Sequence, residues 1–292
     1  MNILITGANG QLGNEMRVLS AQQPLHTYFF TDIAELDITS REAVSQFVNE
    51  NAIDIIVNCA AYTNVDKAET DEVLAHKINA LAVENLGLSG ARVIHVSTDY
   101  VFSGEACVPY EETDSVAPRT AYGRTKREGE VLLQAVCPES IIIRTAWLYS
   151  TFGNNFVKTM LRLGQEREAL GVVFDQIGSP TYAADLAVAI FAAINAPTWQ
   201  PGVYHFTNEG VCSWYVFTHE IFARAQSLLG KEAADKIAAC QLRPILSSEY
   251  QYQTPRPHFS VLNKSKIKST FGITLPHWTE ALQVCLEKLL QE

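Results

Sequence analysis

Ile5-Thr-Gly7-Ala-Asn-Gly10-Gln-Leu-Gly13 closes a β-rich run, Ile3 to Thr6, and opens an amphipathic stretch, Gln11 to Ser20. Glycines at these spacings permit a tight strand-to-helix turn. They also let a pyrophosphate approach the backbone at the positive end of the helix. Gly7, Gly10, Gln11, Leu12 and Gly13 form the expected cradle. A glycine pattern alone is weak, and a βα turn without a ligand reads the same way; the strand–turn–helix context is what supports a phosphate site.

Working outward, β-rich runs recur at Thr27 to Thr31, Ile53 to Asn58, Arg92 to Ser97 and Ile141 to Thr145. Amphipathic stretches lie between them at Ser40 to Glu50, Asp71 to Leu88 and Thr120 to Val136. This alternation predicts an α/β fold: a doubly wound, Rossmann-like parallel sheet with helices on both faces. Residues 1–148 form the expected dinucleotide-binding domain, with 172–209 returning to it. Residues 149–171 and 210–292 form a smaller, interleaved α/β substrate lobe. Expected there are helices at Asn154 to Gln165, Ala183 to Ile194, Ser213 to Leu228 and about His277 to Leu290. Short strands are expected at Val172 to Phe174 and Val203 to Phe206, and a polar, Pro-rich stretch at Arg243 to Pro257.

Ligands of such sheets bind beyond the carboxyl ends of the strands. Asp32 ends the second strand nineteen residues after Gly13, where a carboxylate hydrogen-bonds the ribose hydroxyls of NAD. It would repel a 2′-phosphate unless a cation compensates, and Arg17 is the nearest basic candidate. Asp37 and Ile38 stand where they would flank an adenine. Ala60, Ala61, Tyr62 and Thr63 follow the third strand, and the two alanines would let a cofactor pass closely. Val96 stands just before the end of the fourth. Each also reads as an ordinary strand end or turn.

Tyr122-Gly-Arg-Thr-Lys126 places a phenol and an ammonium on one helix face. A neighbouring positive charge favours phenolate, so the phenol is expected to exchange a proton near neutral pH. Thr98 closes the strand that runs through Val96-Ser97, ready to hydrogen-bond a carbonyl oxygen. Without Tyr122 and Lys126 it would read as a plain β-branched strand residue.

Composition narrows the partners. The 292-residue chain carries a net charge of -10, which argues against nonspecific nucleic-acid binding. An anionic substrate needs only a local positive site. No apolar run approaches membrane-spanning length, and the N-terminus reads as a strand rather than a signal peptide. Six cysteines without a Cys-x2-Cys pair read as reduced thiols, so a cytoplasmic location is expected. No cluster of metal ligands is evident.

Gly7-x2-Gly10-x2-Gly13, Asn58-Cys-Ala-Ala, Ser97-Thr-Asp99-Tyr-Val-Phe102 and Tyr122-x3-Lys126 resemble the extended short-chain dehydrogenase/reductases. Val65-Asp-Lys-Ala-Glu69, Arg144-Thr-Ala-Trp147-Leu-Tyr149, Gly153-Asn-Asn-Phe156-Val-Lys-Thr-Met160 and Arg256-Pro-x2-Ser260-x-Leu262 are similar, more narrowly, to the dTDP-4-dehydrorhamnose reductase family. The resemblance covers nearly the whole chain. It implies NADPH or NADH as reductant and a 4-keto dTDP-sugar as substrate. Tyr122 is then the proton donor, with Lys126 on the nicotinamide ribose and Thr98 on the carbonyl. It further implies that Thr98, Asp99, Tyr122 and Trp147 touch the sugar, that Asn155 and Arg256 contact the dTDP part, and that the chain forms a homodimer. Some members hold a divalent cation through glutamates. Glu15 matches one position, but Ala184 stands where a glutamate is expected, so no metal is predicted.

Other readings stay open. A 4,6-dehydratase would need an Asp-Glu pair after the threonine, and Tyr100 follows Asp99 here. A reductase or epimerase on another nucleotide sugar remains possible. So does a non-catalytic regulatory protein, since the β subunit of methionine adenosyltransferase has a similar sequence.

Overall fold

The computed structural model describes residues 1–251 and 254–290. Positions 252–253, inside the expected polar stretch, and 291–292, at the end of the expected lobe, lie outside the described residues. In chain order the strands are β1 (Asn2–Thr6), β2 (Thr27–Thr31), β3 (Ile55–Asn58), β4 (Arg92–Thr98), β5 (Ile141–Thr145), β6 (Leu148–Tyr149), β7 (Ala169–Val173), β8 (Ile177–Gly178), β9 (Thr181–Tyr182), β10 (Gly202–His205), β11 (Cys212–Ser213) and β12 (Gln241–Ile245). The helices that carry the argument are α1 (Gln11–Ser20), α2 (Arg41–Glu50), α3 (Val65–Thr70), α4 (Glu72–His76), α5 (Ala82–Gly87) and α6 (Ala121–Val136). They continue with α7 (Phe156–Glu166), α8 (Ala183–Ile194), α9 (Trp214–Leu228), α10 (Lys231–Ala239), α11 (Ser265–Phe271) and α12 (Trp278–Leu290).

Among the described residues the main sheet has six strands in the order β10-β5-β4-β3-β1-β2, all parallel. The period-2 geometry of strands sorts their side chains into two layers. Ile3, Ile5, Ile55, Val57, Ile94, Ile141 and Ile143 face Leu12 and Met16 of α1 and most of the apolar side of α8. Leu4, Ile56, Val93 and Ile142 face Val44 and Val48 of α2, Val83 and Leu86 of α5 and Leu133 of α6. Both faces are thus buried, which is why these strands read as continuous apolar runs. Each fully buried aliphatic side chain contributes about 1.5–3 kcal/mol.

The doubly wound parallel sheet matches the expectation, and the differences have local causes. The expected helix from Asp71 to Leu88 is divided by a π-helical turn, Lys77–Leu81, with α3 ahead of it. That wider turn buries Asn79, whose amide both accepts from Tyr62 N–H (2.8 Å) and donates to Tyr62 C=O (3.1 Å). The tertiary contact holds the irregularity in place. Strand β12 begins just before the expected polar stretch and runs into it, pairing in parallel with β7. Gln241-Leu-Arg-Pro244-Ile has little strand character of its own; the pairing supplies it, and Pro244 is tolerated in a two-stranded ladder.

In the stretch 172–209, α8 and β10 pack with the main sheet, whereas Val172 and Val173 belong to the ladder with β12. Ile267 of α11 also joins the first core. A separate core gathers Val157 and Leu161 of α7, Phe217 and Ile221 of α9, Ile237 of α10 and Leu282 and Leu286 of α12. Helices α10 and α11 were missed in reading the sequence, although Lys231-Glu-Ala-Ala-Asp-Lys-Ile-Ala-Ala239 is rich in helix formers.

Candidate active site

The carboxyl ends of β1, β2 and β3 open on a groove of about 420 Å3. Gly7, Gly10, Asp32, Asp37, Ile38, Ala60 and Ala61 line it. It lies where the chain reverses direction across the sheet, with β2 on one side of β1 and β3 on the other. Gly7 has φ of +62°, and a Cβ there would come within 2.6 Å of Ala60 N, so a side chain would close the cradle.

Asp32 accepts from Asn9 N–H (3.1 Å) and Ile33 N–H (2.9 Å), which fixes its carboxylate at the groove wall. Arg17 does not face it; the guanidinium lies over the Phe30 ring at 4.2 Å. Thr39 donates two hydrogen bonds to Asp37, the main cause holding that carboxyl below its usual range. Leu74, Lys77 and Ile78 complete the rim. Sequence reading missed them, although Leu74 and Ile78 sit four apart on one helical face.

Tyr62, Thr63, Val96, Gln11, Leu12 and Gly13 are not among the groove-lining residues. Leu12 packs in the core, Thr63 is exposed, and Gln11 packs against Gly153. The groove otherwise fits a nicotinamide dinucleotide. A bare glycine turn opens a helix, a fixed carboxylate ends β2, and the buried Thr31 Oγ1 lacks a hydrogen-bond partner among the described residues.

Beside the groove, β4 and α6 bring Thr98, Tyr122 and Lys126 together. Thr120 caps α6 by accepting from Gly123 N–H (3.0 Å), which sets the first turn carrying Tyr122. Thr98 donates to Asp99 (3.1 Å) and shares a hydrogen bond with the Tyr122 hydroxyl. Burial pushes the Tyr122 phenol up to about 12, against the hydrogen bond from Thr98 that lowers it. The sequence reading expected the opposite sign, through a neighbouring ammonium. The reason is geometric: Lys126 Nζ donates instead to Val96 O (2.7 Å) and lies 3.2 Å from His95 Nε2. Lys126 is itself 1 % exposed, and burial pulls it down to about 8. Burial likewise lifts Asp99 to about 6.

A cavity of about 410 Å3 adjoins this cluster. Tyr100, Trp147, Phe156, Met160, Trp214, Arg256 and Ser260 are among its walls. Tyr100 meets the Tyr122 ring edge-on at 5.3 Å, and Ser260 hydrogen-bonds Asp99, so two of its walls touch the cluster, although Thr98, Asp99, Tyr122 and Lys126 do not themselves line the cavity. Trp147 adopts a left-handed φ of +50°, uncommon outside glycine, and its indole lies flat on Trp214 at 3.5 Å. A Cβ on Gly178 would come within 2.6 Å of that indole, so only glycine leaves room for it. Trp214 was not singled out by sequence reading; an aromatic opening a helix after Ser213 looks like core. Arg256 lines the cavity and pairs with Asp66 at 2.7 Å.

Asn155 does not line it. Asn155 caps α7, accepting from Lys158 N–H (3.2 Å) and donating to Ser150 O (2.7 Å). Glu15 is buried and accepts from Ser150 (2.6 Å).

Comparison with known proteins gives a consistent result. Residues 1–291 match the protein family described as the RmlD substrate binding domain. The dTDP-4-dehydrorhamnose reductase of Aggregatibacter actinomycetemcomitans is 40% identical over 289 residues, covering 96% of this chain and 97% of that protein. The crystal structure of a dTDP-4-dehydrorhamnose reductase from Clostridium acetobutylicum superposes with a TM-score of 0.91 at 42% identity, covering 100% of both chains. That of Bacillus anthracis, in complex with NADP, gives 0.90 at 38% identity, covering 98% of this chain and 99% of that one.

Proposed function

The chain belongs to the RmlD substrate binding domain family, and from that premise we propose that it reduces the 4-keto group of dTDP-4-dehydro-L-rhamnose to dTDP-L-rhamnose. The observation that carries the reading is the buried cluster of Thr98, Tyr122 and Lys126, with the Tyr100 wall of the aromatic cavity packed against the Tyr122 ring. A bound NADPH or NADH supplies the hydride that goes to C4 of the sugar. The remaining chemistry belongs to the chain. Thr98 Oγ1 and the Tyr122 hydroxyl hydrogen-bond the keto oxygen and stabilise the charge that develops on it. Tyr122, a phenol throughout the neutral range in this setting, gives its proton to that oxygen and is reprotonated from solvent. Lys126 would hold the nicotinamide ribose.

Gly7, Gly10, Asp32, Asp37, Ile38, Ala60 and Ala61 would hold the dinucleotide, with Gln11, Leu12, Gly13, Tyr62, Thr63 and Val96 contributing main chain at its margins. Trp147 and Asp99 bound the sugar, and Arg256 meets the diphosphate. Asn155 acts through the loop it caps. The reaction takes place in the cytoplasm, and the protein works as a homodimer, which sedimentation would test. A coupled assay with dTDP-4-dehydro-L-rhamnose and each reduced nicotinamide tests the activity. No turnover with either would overturn it.

Two substitutions test the two pockets separately. Asp32→Ala removes the carboxylate that accepts ribose hydroxyls and repels a 2′-phosphate. Both cofactors are accepted by the wild type, and the ratio of kcat/KM for NADPH over NADH rises about tenfold in the variant, equivalent to about 1.4 kcal/mol. An unchanged ratio would show that Asp32 does not reach the ribose. Trp147→Ala removes the wall of the cavity and its stack on Trp214. KM for the sugar nucleotide rises about tenfold or more, while the Kd of NADPH by fluorescence titration stays put. Equal losses for both ligands would show general unfolding instead.

A further inference from the structure

Lys126 is held by a buried chain of polar groups that begins two strands away, on β1. Ala60 N–H donates to Asn58 Oδ1 (3.1 Å), which fixes which end of that amide is oxygen. Thr6 Oγ1 donates to the same oxygen (2.7 Å). Asn58 Nδ2 therefore faces His95 Nδ1, at 3.0 Å, as a donor. A neutral imidazole that accepts at Nδ1 carries its proton on Nε2. That N–H points at Lys126 Nζ, 3.2 Å away. Against an ammonium this would be donor on donor, with both side chains buried. Against an amine it is a hydrogen bond, and Nζ still donates to Val96 O.

We propose that His95, locked by Asn58 with its proton on Nε2, shifts Lys126 towards the neutral amine in the free protein, so that NADPH binding is coupled to proton uptake by Lys126. The inference rests on the reading of the groove as a nicotinamide site. His95 is a positioning residue: it acts through Lys126 and touches no reacting atom. The proton comes from solvent and ends on Nζ, which the ribose hydroxyls, as acceptors, then favour as ammonium; no other bond changes. Hydrogen bonding to ribose thus replaces the contact with His95, and the bound cofactor raises the share of ammonium.

Other charged groups around Lys126 are accounted for. Glu130, one turn along α6, favours the ammonium, but Arg144 and Arg127 already engage it. Tyr122, one turn back, is a neutral phenol, and Asp99 acts on Tyr122. Cys59 after β3 stays a thiol, pushed up to about 12 by burial. From α3 and α4, Glu69 accepts from Ala121 N–H, Glu72 pairs with Arg124, and His76 pairs with Glu128. Lys77 of the π-helical turn lies on the groove beside Asp37. Burial holds His95 far below its usual range, so it stays neutral. Burial likewise brings Lys126 to about 8, consistent with an amine favoured over ammonium relative to a free lysine.

Calorimetry of NADPH binding in buffers of different ionisation enthalpy reads the uptake directly. At pH 8 the wild type takes up about half a proton per site and at pH 6.5 close to none, as a group titrating near 8 requires. His95→Gln can turn an amide oxygen towards Nζ as an acceptor for the ammonium. Its uptake at pH 8 falls close to zero with NADPH still bound. Lys126→Met abolishes uptake at any pH. NADPH binding without uptake in the wild type, or undiminished uptake in His95→Gln, overturns the inference and leaves the reductase reading standing. No binding of either NADPH or NADH sinks the reductase reading. In that event, or if His95→Gln does not fold, imidazole 15N NMR on the wild type decides the inference. The expected state at pH 8 and above, where the amine is well populated, is the Nε2–H tautomer, and an Nδ1–H tautomer or an imidazolium there overturns it.

Discussion

Tyr122→Phe lowers kcat by about 10²–10⁴-fold while leaving NADPH affinity near that of the wild type. The phenol is the proposed proton donor. Thr98 shares its hydrogen bond with it, and Tyr100 packs edge-on against its ring. Phenylalanine keeps the ring, the packing and the helix, so the loss isolates the hydroxyl. The fall appears in kcat and kcat/KM alike, because the hydrogen bond to the keto oxygen strengthens as charge develops. Lys126→Met, by contrast, weakens NADPH binding as well as rate. Steady-state kinetics with saturating dTDP-4-dehydro-L-rhamnose, alongside fluorescence titration of NADPH, separates the two. Turnover of Tyr122→Phe within a few-fold of wild type would remove Tyr122 from the chemistry.

Glu130→Ala destabilises the fold by about 3–5 kcal/mol. Glu130 is 0 % exposed and accepts from Arg144 Nε (2.9 Å) and Nη2 (2.8 Å) and from Arg127 Nη1 (2.8 Å). Arg144 is 2 % exposed, and its guanidinium lies 5.0 Å from the Phe102 ring centre. Removing the carboxylate leaves a buried cation without its counter-charge, which is the expensive way to break such a pair. Glu130→Leu with Arg144→Met removes both charges and recovers most of the loss. Urea unfolding measures each. A loss below about 1 kcal/mol for Glu130→Ala would mean that Arg144 finds water or moves out.

The pair is acid-sensitive. Glu130 sits below its ordinary value: burial raises it, and the Arg144 hydrogen bonds and charge, with Ser97 and Arg127, outweigh that. Its stabilisation is therefore present above the unfolded carboxylate value and is lost as pH falls through the lower folded one. Glu130→Gln lacks that acid-dependent part.

Local pattern carried the sheet a long way. Ile3-Leu-Ile-Thr6 and Ile141-Ile-Ile-Arg-Thr145 are apolar on both faces because helices cover both, and that property is written in the residues themselves. The glycine turn after β1, Asp32 at the end of β2 and the i, i+4 pair Tyr122/Lys126 were legible for the same reason. Each depends on a spacing of a few residues. Strand β12 was not legible, since its pairing with β7 joins residues 72 apart in sequence. Nor was Trp214, which becomes a cavity wall only by stacking on Trp147.

The sequence by itself determined which residues share a helix face or a strand end, and so which chemical groups the site has to work with. Tertiary structure alone decided their charge. Lys126 lies four residues from Tyr122, yet its Nζ answers to Val96 O and His95, thirty and thirty-one positions earlier on β4. Desolvation and hydrogen-bond direction are set by what the fold packs around a group, and periodicity along one helix does not encode them.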